Sequence, residues 1–371
     1  MHRSESGLLF SMNNNMAGIC RRRNSTGFGL KKTDSRIPLL ALATTFLVLS
    51  MAHAEAAADF VVYVSNERSG DVSVLDGPTG AVITTIAVGK RPRGIHCSPD
   101  GKLVYVALSG SPRMGPGVDR SRAVADRSAD GIGVIDAQTR KFLRKLPAGS
   151  DPEQFALTQD GSHAVISNED RGTASIIDLS SGTLTGEVPV SEEPEGVGIN
   201  PANGFAYVTC EEKGEIYVID PVHAISPAHF KVGARPRSIA FLPDGSRAFV
   251  PSEAGASVTV VDTAAEKIVT TIPLPGMPMG TLISKDGKEL YVTTGRGNSV
   301  VAIDTTKNAV VATIPVGERV WGLALAPDGQ KLYTANGASN NVSVVDLAAR
   351  KELKRIKVGD GPWGIAIGPK L

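Results

Sequence analysis

Short apolar runs recur along the chain, and each stops on an aspartate. Val342-Ser343-Val344-Val345-Asp346 is one, and its counterparts end at Asp304, Asp262, Asp220, Asp178, Asp136 and Asp76. From Asp346 back to Asp136 every step is 42 residues, and the last step, to Asp76, is 60, one period plus 18. Self-similarity at a fixed period of this size predicts an array of like supersecondary units.

A second pattern fills the interval. Ser98-Pro99-Asp100-Gly101, Thr158-Gln159-Asp160-Gly161, Leu242-Pro243-Asp244-Gly245, Ser284-Lys285-Asp286-Gly287 and Ala326-Pro327-Asp328-Gly329 are turns, and Asn200-Pro201-Ala202-Asn203-Gly204 is a longer version. Pro presets φ, Asp bonds its own backbone and Gly takes positive φ. Each turn lies between β-rich runs, such as Gly322–Leu325 before and Lys331–Asn336 after. With the aspartate-ended strand and a further run such as Val310–Ile314, each period holds four short strands. That is a propeller blade. No window carries a useful helical apolar period, which excludes helix-pair solenoids. The predicted fold is all-β, a seven-bladed β-propeller of four-stranded antiparallel blades over residues 58–371. The repeats begin on a second strand, Val61–Ser65, and end on a first strand, Gly364–Ile367. The C-terminal strand is therefore expected to complete the N-terminal blade and remove the open sheet edges.

The extra 18 residues fall at about 111–130, between the second and third strands of one blade. The segment mixes Pro112, Met114 and Pro116 with Arg113, Asp119, Arg120, Arg122 and Arg127 and has no apolar period. It reads as a loop, either functional or merely tolerated.

Residues 1–54 stand outside the repeats. Arg21, Arg22, Arg23, Lys31, Lys32 and Arg36 precede an apolar run from Ile37 to Met51, then Ala52-His53-Ala54. A basic start, a short apolar run and an Ala-x-Ala site predict a secretory signal and a periplasmic or extracellular protein. The run is shorter than the roughly 20 residues that span a bilayer, though an uncleaved anchor is the alternative. No other segment is apolar enough to span, and a self-closed ring is expected to be a monomer. Without the seven basic and two acidic groups of residues 1–54, 32 basic face 36 acidic groups. This mild acidity gives no net pull towards nucleic acid or anionic lipid. Cys97 and Cys210 sit at non-equivalent repeat positions and are expected as free, buried thiols. No Cys-x-x-Cys-His run exists, so covalent haem is excluded.

Chemistry is sought where the repeat varies. The loops leading into the innermost strands read Arg91-Pro92-Arg93, Asp151-Pro152-Glu153, Glu193-Pro194-Glu195, Arg235-Pro236-Arg237, Met277-Pro278-Met279, Arg319-Val320-Trp321 and Gly361-Pro362-Trp363. Their third residues, Arg93, Glu153, Glu195, Arg237, Met279, Trp321 and Trp363, are predicted to ring the channel mouth. A scaffold explains the prolines but not this variety. Trp321 and Trp363 are expected to form an aromatic platform, with Arg93 and Arg237 open to an anionic group. The alternative is solvated Arg–Glu pairs with tryptophan as a plug. Asp151, Glu153, Glu169, Asp170, Glu192, Glu193, Glu195, Glu211 and Glu212 form an acidic sector on the same face. No cofactor is expected from motif; Ca²⁺ is the candidate ion for clustered carboxylates, against a solvated face or a patch for a basic partner. His223 and His229 fall near an outer strand and His96 on an inner one, where it reads as packed. There is no Walker loop and no Rossmann fingerprint, and no catalytic residue is assigned.

Val62-Tyr63-Val64-Ser65-Asn66, Ala206-Tyr207-Val208-Thr209-Cys210 and Leu290-Tyr291-Val292-Thr293-Thr294, with the V-x-V-[IV]-D strand and the Pro-Asp-Gly turn, resemble YVTN-type β-propeller repeats. Val320-Trp321-Gly322 through Pro362-Trp363-Gly364 is similar to propellers associated with pyrroloquinoline-quinone-dependent catabolism. The resemblance implies the fold, and relatives that include exported proteins, DNA binders, haem d1 propellers and lactonase-like enzymes. The chain shows no channel histidine set for haem d1 and no assignable metal-dependent lactonase set. The expected function is non-catalytic: binding of a periplasmic partner protein or small ligand at the channel mouth, accessory to a redox system. A lactonase-like enzyme and a single-stranded DNA binder are the alternatives.

Overall fold

Six residues from Asn341 to Asp346, buried at every interior position, show why the repeated strand is apolar on both sides. It is sandwiched between neighbouring sheets. The protein is described by a computed structural model covering residues 59–113 and 124–371, all within the unit Ala54–Leu371. The expected leader and residues 114–123 of the insertion lie outside the described residues.

Seven four-stranded antiparallel sheets are present among the described residues. Blade 1 runs from the inner strand Pro362–Pro369 through Phe60–Asn66 and Asp71–Asp76 to the outer strand Val82–Ala87. Phe60 pairs with Pro369 and Val64 with Ile365, so the ring closes through the last strand as expected. The other inner strands, blades 2 to 7, are Ile95–Cys97, Pro152–Leu157, Pro194–Ile199, Ala240–Phe241, Pro278–Ile283 and Val320–Leu325. Seven apolar clusters fill the gaps between adjacent blades. An aromatic recurs at one point of the second strands, as Tyr63, Tyr105, Tyr207, Phe249, Tyr291 and Tyr333, all buried. Outer strands such as Ala309–Pro315 are largely exposed.

The recurring aspartates are turn caps. Asp262 Oδ1 accepts from the Ala264 and Ala265 N–H at 3.0 and 2.9 Å, and Asp346 Oδ1 from Ala349 at 2.8 Å. In the second turn, Asp328 Oδ1 accepts from Gln330 N–H at 2.9 Å and Gly329 has φ +71°. No described helix is long and apolar enough to cross a membrane. Cys97 and Cys210 are free, Cys210 buried and Cys97 only half-buried at the end of its short strand. Burial pushes both thiols up to about 12.

Candidate functional site at the channel mouth

The inner strands aim their second residues at the axis through a local defect. In blades 1, 3, 4, 6 and 7 the register against the second strand slips between, for example, Pro152 and Phe155 or Val320 and Leu323. Two residues there face one, which is a bulge, and bulges turn side chains out of the sheet plane. Glu153, Glu195, Met279, Trp321 and Trp363 occupy those bulges. Hydroxyls of the preceding blade then hold the backbone: Ser65 and Ser167 donate to the carbonyls of Arg93 and Glu195 at 2.5 Å, and Thr209 and Thr293 to those of Arg237 and Trp321 at 2.7 Å. The residue after each bulge is often glycine because blades meet closely there. A Cβ on Gly322 would lie 2.6 Å from the Trp363 carbonyl oxygen, and one on Gly364 2.6 Å from that of Arg93.

A cavity of about 240 Å³ opens on this face, and Arg93, Glu153, Glu195, Arg237, Trp321 and Trp363 all line it. Met279 lies deeper, in a small axial space shared with Glu195, Arg237 and both tryptophans. The structure thus brings the seven sequence-derived positions together.

Their charge state differs from the expectation. Arg93 is 1% exposed and donates to Asp151 Oδ1 at 2.5 Å and to the Pro152 carbonyl at 2.8 Å, with Glu153 as a further close partner. Burial pushes the Asp151 carboxyl up, but the Arg93 and Arg91 guanidiniums and the Ser109 hydroxyl overcome this and hold it below the ordinary carboxylate range. Arg237 is bound to Glu195 at 2.6 Å and to buried Glu211, with Glu253 at 3.4 Å. Arg93 and Arg237 are therefore neutralised rather than open to an anion, and the Arg93 pairs are buried and the Arg237 pairs largely so, rather than solvated. Arg93 is answered by Asp151 and Glu153 of the next entry loop, and Arg237 by Glu195 together with Glu211 and Glu253, which lie just past the second strands as Glu67 and Glu169 do. Glu67 and Glu253 stand outside the acidic sector expected from the sequence.

The acidic sector is likewise divided. Asp151, Glu153 and Glu169 bring carboxylate oxygens within 4.8 Å of one another, a grouping that suits a hard cation. Arg93 stands among all three, with Glu169 at 3.8 Å. Glu192 and Glu212 point to solvent. His223 and His229 are exposed, and His96 is half-buried on its short inner strand.

The tryptophans stack at 6.0 Å between centroids and 19° between planes. Arg237 lies 5.6 Å and Arg319 5.0 Å from the Trp321 ring centre. Arg319 belongs to a set the sequence had flagged only as loop. The first loop residues, Arg91, Asp151, Glu193, Arg235, Met277, Arg319 and Gly361, all have positive φ, from 44° to 66°. Only one is glycine. At the equivalent turns between second and third strands, Gly70, Gly172, Gly214, Asn298 and Asn340 serve and only Ala256 departs. L-residues strain by about 1–2 kcal/mol in this region, so most of these side chains stand at the mouth against local backbone preference.

The profile of the choice-of-anchor I domain matches residues 30–225, and that of Lactonase, 7-bladed beta-propeller, matches residues 198–358. Antigen Lp49 of Leptospira interrogans is 29% identical over 138 residues, spanning 29% of this chain and 30% of that relative's own length. Hydrazine synthase of Kuenenia stuttgartiensis is a structural match with TM-score 0.67 and 21% identity, covering 78% of this chain and 92% of that one. A crystal structure of a putative 6-phosphogluconolactonase from Bacteroides fragilis gives TM-score 0.67 and 20% identity over 85% of this chain and 99% of that one. At these identities the structural likeness speaks for the fold alone.

Proposed function

The chain belongs to the choice-of-anchor I domain family, whose profile covers just over half of it, and on that premise we propose an exported, non-catalytic binding propeller. Its channel mouth takes a small ligand or the contact residues of a partner protein. The observation that supports this is the convergence of six varied rim residues on one recessed cavity of about 240 Å³. Pockets for drug-sized molecules run from about 300 Å³ upward, so the favoured occupant is small. The acids on its wall speak for binding over catalysis, because Asp151, Glu153 and Glu195 are each held by an arginine. Export is supported by the basic, apolar and Ala-x-Ala order of residues 1–54, and a place beside a quinone-dependent redox system by the Trp-Gly repeats. Arg93 fills the position a cation would need between its carboxylates, so we assign no resident metal.

Calorimetric titration of the intact protein with organic acids, sugars, nucleotides and lactones tests the reading. Saturable binding that disappears in folded Trp321→Ala/Trp363→Ala supports it. Binding unaffected by that double variant overturns it.

The lactonase reading has one observation in its favour, the profile match over residues 198–358. Lactone turnover that falls in Glu153→Gln and Glu195→Gln would replace the binding proposal. The single-stranded DNA reading loses its basis in free arginines, since Arg91, Arg93, Arg235 and Arg237 all pair with carboxylates.

A further inference from the structure

Among the described residues six arginines line the cavity, and five have a carboxylate within 4.0 Å. Arg319 has none among the described residues. The repeat explains why. Arg91 pairs with Glu67 and Arg235 with Glu211, each 24 residues upstream in the preceding blade. The same step from Arg319 reaches Gly295. The scaffold's own counter-ion is missing at this blade alone of the three that place arginine at this loop position.

The neighbourhood is shaped around the gap. A Cβ on Gly337 would lie 2.8 Å from the Trp321 ring, so this next position past a second strand is glycine where the indole seats. Arg319 lies over the Trp321 face, and Trp363 continues the aromatic surface along the same wall. Burial, then repulsion from Arg113, depresses the Arg319 guanidinium, with Glu253 and Glu67 opposing weakly. A positive charge held against an aromatic wall, with its partner position empty, suits a flat anion: the charge meets the guanidinium fork and the ring lies on indole.

We propose that the channel mouth recognises a small planar organic anion, an aromatic carboxylate in its simplest form, through Arg319 and the Trp321–Trp363 wall. This deepens the binding reading above and rests on it. Benzoate, cyclohexanecarboxylate and benzyl alcohol are the probes, titrated into the whole protein by calorimetry, with emission of the chain's two tryptophans, both at the mouth, as a second readout. Benzoate should bind saturably and at least about tenfold more tightly than the saturated acid or the neutral alcohol. Gly295→Glu supplies the absent partner; its Cβ would meet the flexible Met279 Cγ at 3.1 Å. It should weaken benzoate by at least about tenfold, as should Arg319→Met, while circular dichroism stays unchanged. Should Gly295→Glu fail to fold, Arg319→Met decides. Equal affinity for benzoate and benzyl alcohol, or benzoate binding that survives Arg319→Met, overturns the proposal. Neutral compounds binding in a tryptophan-dependent way without preference for benzoate overturn it and leave the binding reading standing. No binding by any compound, in either titration set, overturns both.

Discussion

Acid should weaken this propeller through His96 well before its carboxylates titrate. The residue sits on the inner strand Ile95–Cys97, paired with Tyr105, its ring edge-on to Phe155 at 4.8 Å. Burial lowers its pKa to about 4, against hydrogen bonds with the Gln154 side chain and the Phe155 backbone that oppose the shift. An unfolded chain takes up the proton near 6.5, while the folded one resists until about 4. The stabilisation is thus complete above pH 6.5 and is lost as pH falls from 6.5 to 4. Linkage over that interval gives a loss of about 3 kcal/mol by pH 4. The lowered surface aspartates, Asp178 among them at about 2, act in the other window, below pH 3.8. Urea unfolding of the wild type and of His96→Gln, run at several pH values from 7.5 to 4, separates the contributions. The variant sets its own baseline, so the difference in slope is the quantity read. Parallel pH profiles for the two proteins would refute the assignment.

Other predictions concern the mouth and its supports. Gly322→Ala places a methyl 2.6 Å from the Trp363 carbonyl oxygen and should lower stability by about 1–3 kcal/mol, read as a fall in melting temperature. Gly329→Ala, with φ +71° but nothing near its Cβ, should cost only about 1 kcal/mol in the same assay. Thr209→Val removes the hydroxyl holding the Arg237 carbonyl and should cost about 1 kcal/mol. Arg93→Met leaves Asp151, Glu153 and Glu169 without their central cation. It should lose about 3–5 kcal/mol, part of it restored by millimolar Ca²⁺; a melting temperature insensitive to Ca²⁺ would count against this account.

The ruler of 42 residues made the fold and the seven rim positions legible, because strand alternation and turn chemistry are local and repeat. Charge pairing was less so. Whether Arg237 is open depends on Glu211 of the preceding blade and on Glu253 past the second strand of its own, neighbours only once strands and blades are placed side by side. The 24-residue offset joining Arg235 to Glu211 was present in the sequence and readable in principle once the frame was fixed. Burial of Arg93 was not readable, since it follows from three acids of the next blade converging on it. The clasping hydroxyls of Ser65, Ser167, Thr209 and Thr293 also recur in register, but serine and threonine are so common in strands that the pattern carried no signal of its own.

Closure of the ring by Pro362–Pro369 has a consequence for the order in which the molecule is made. Val61 finds its neighbour Gly368 only across some three hundred intervening residues, so the first strands synthesised wait for the last. Contacts of such separation slow folding. Once the final strand is seated, the same latch joins the first and last described strands, and neither can peel away without undoing the other.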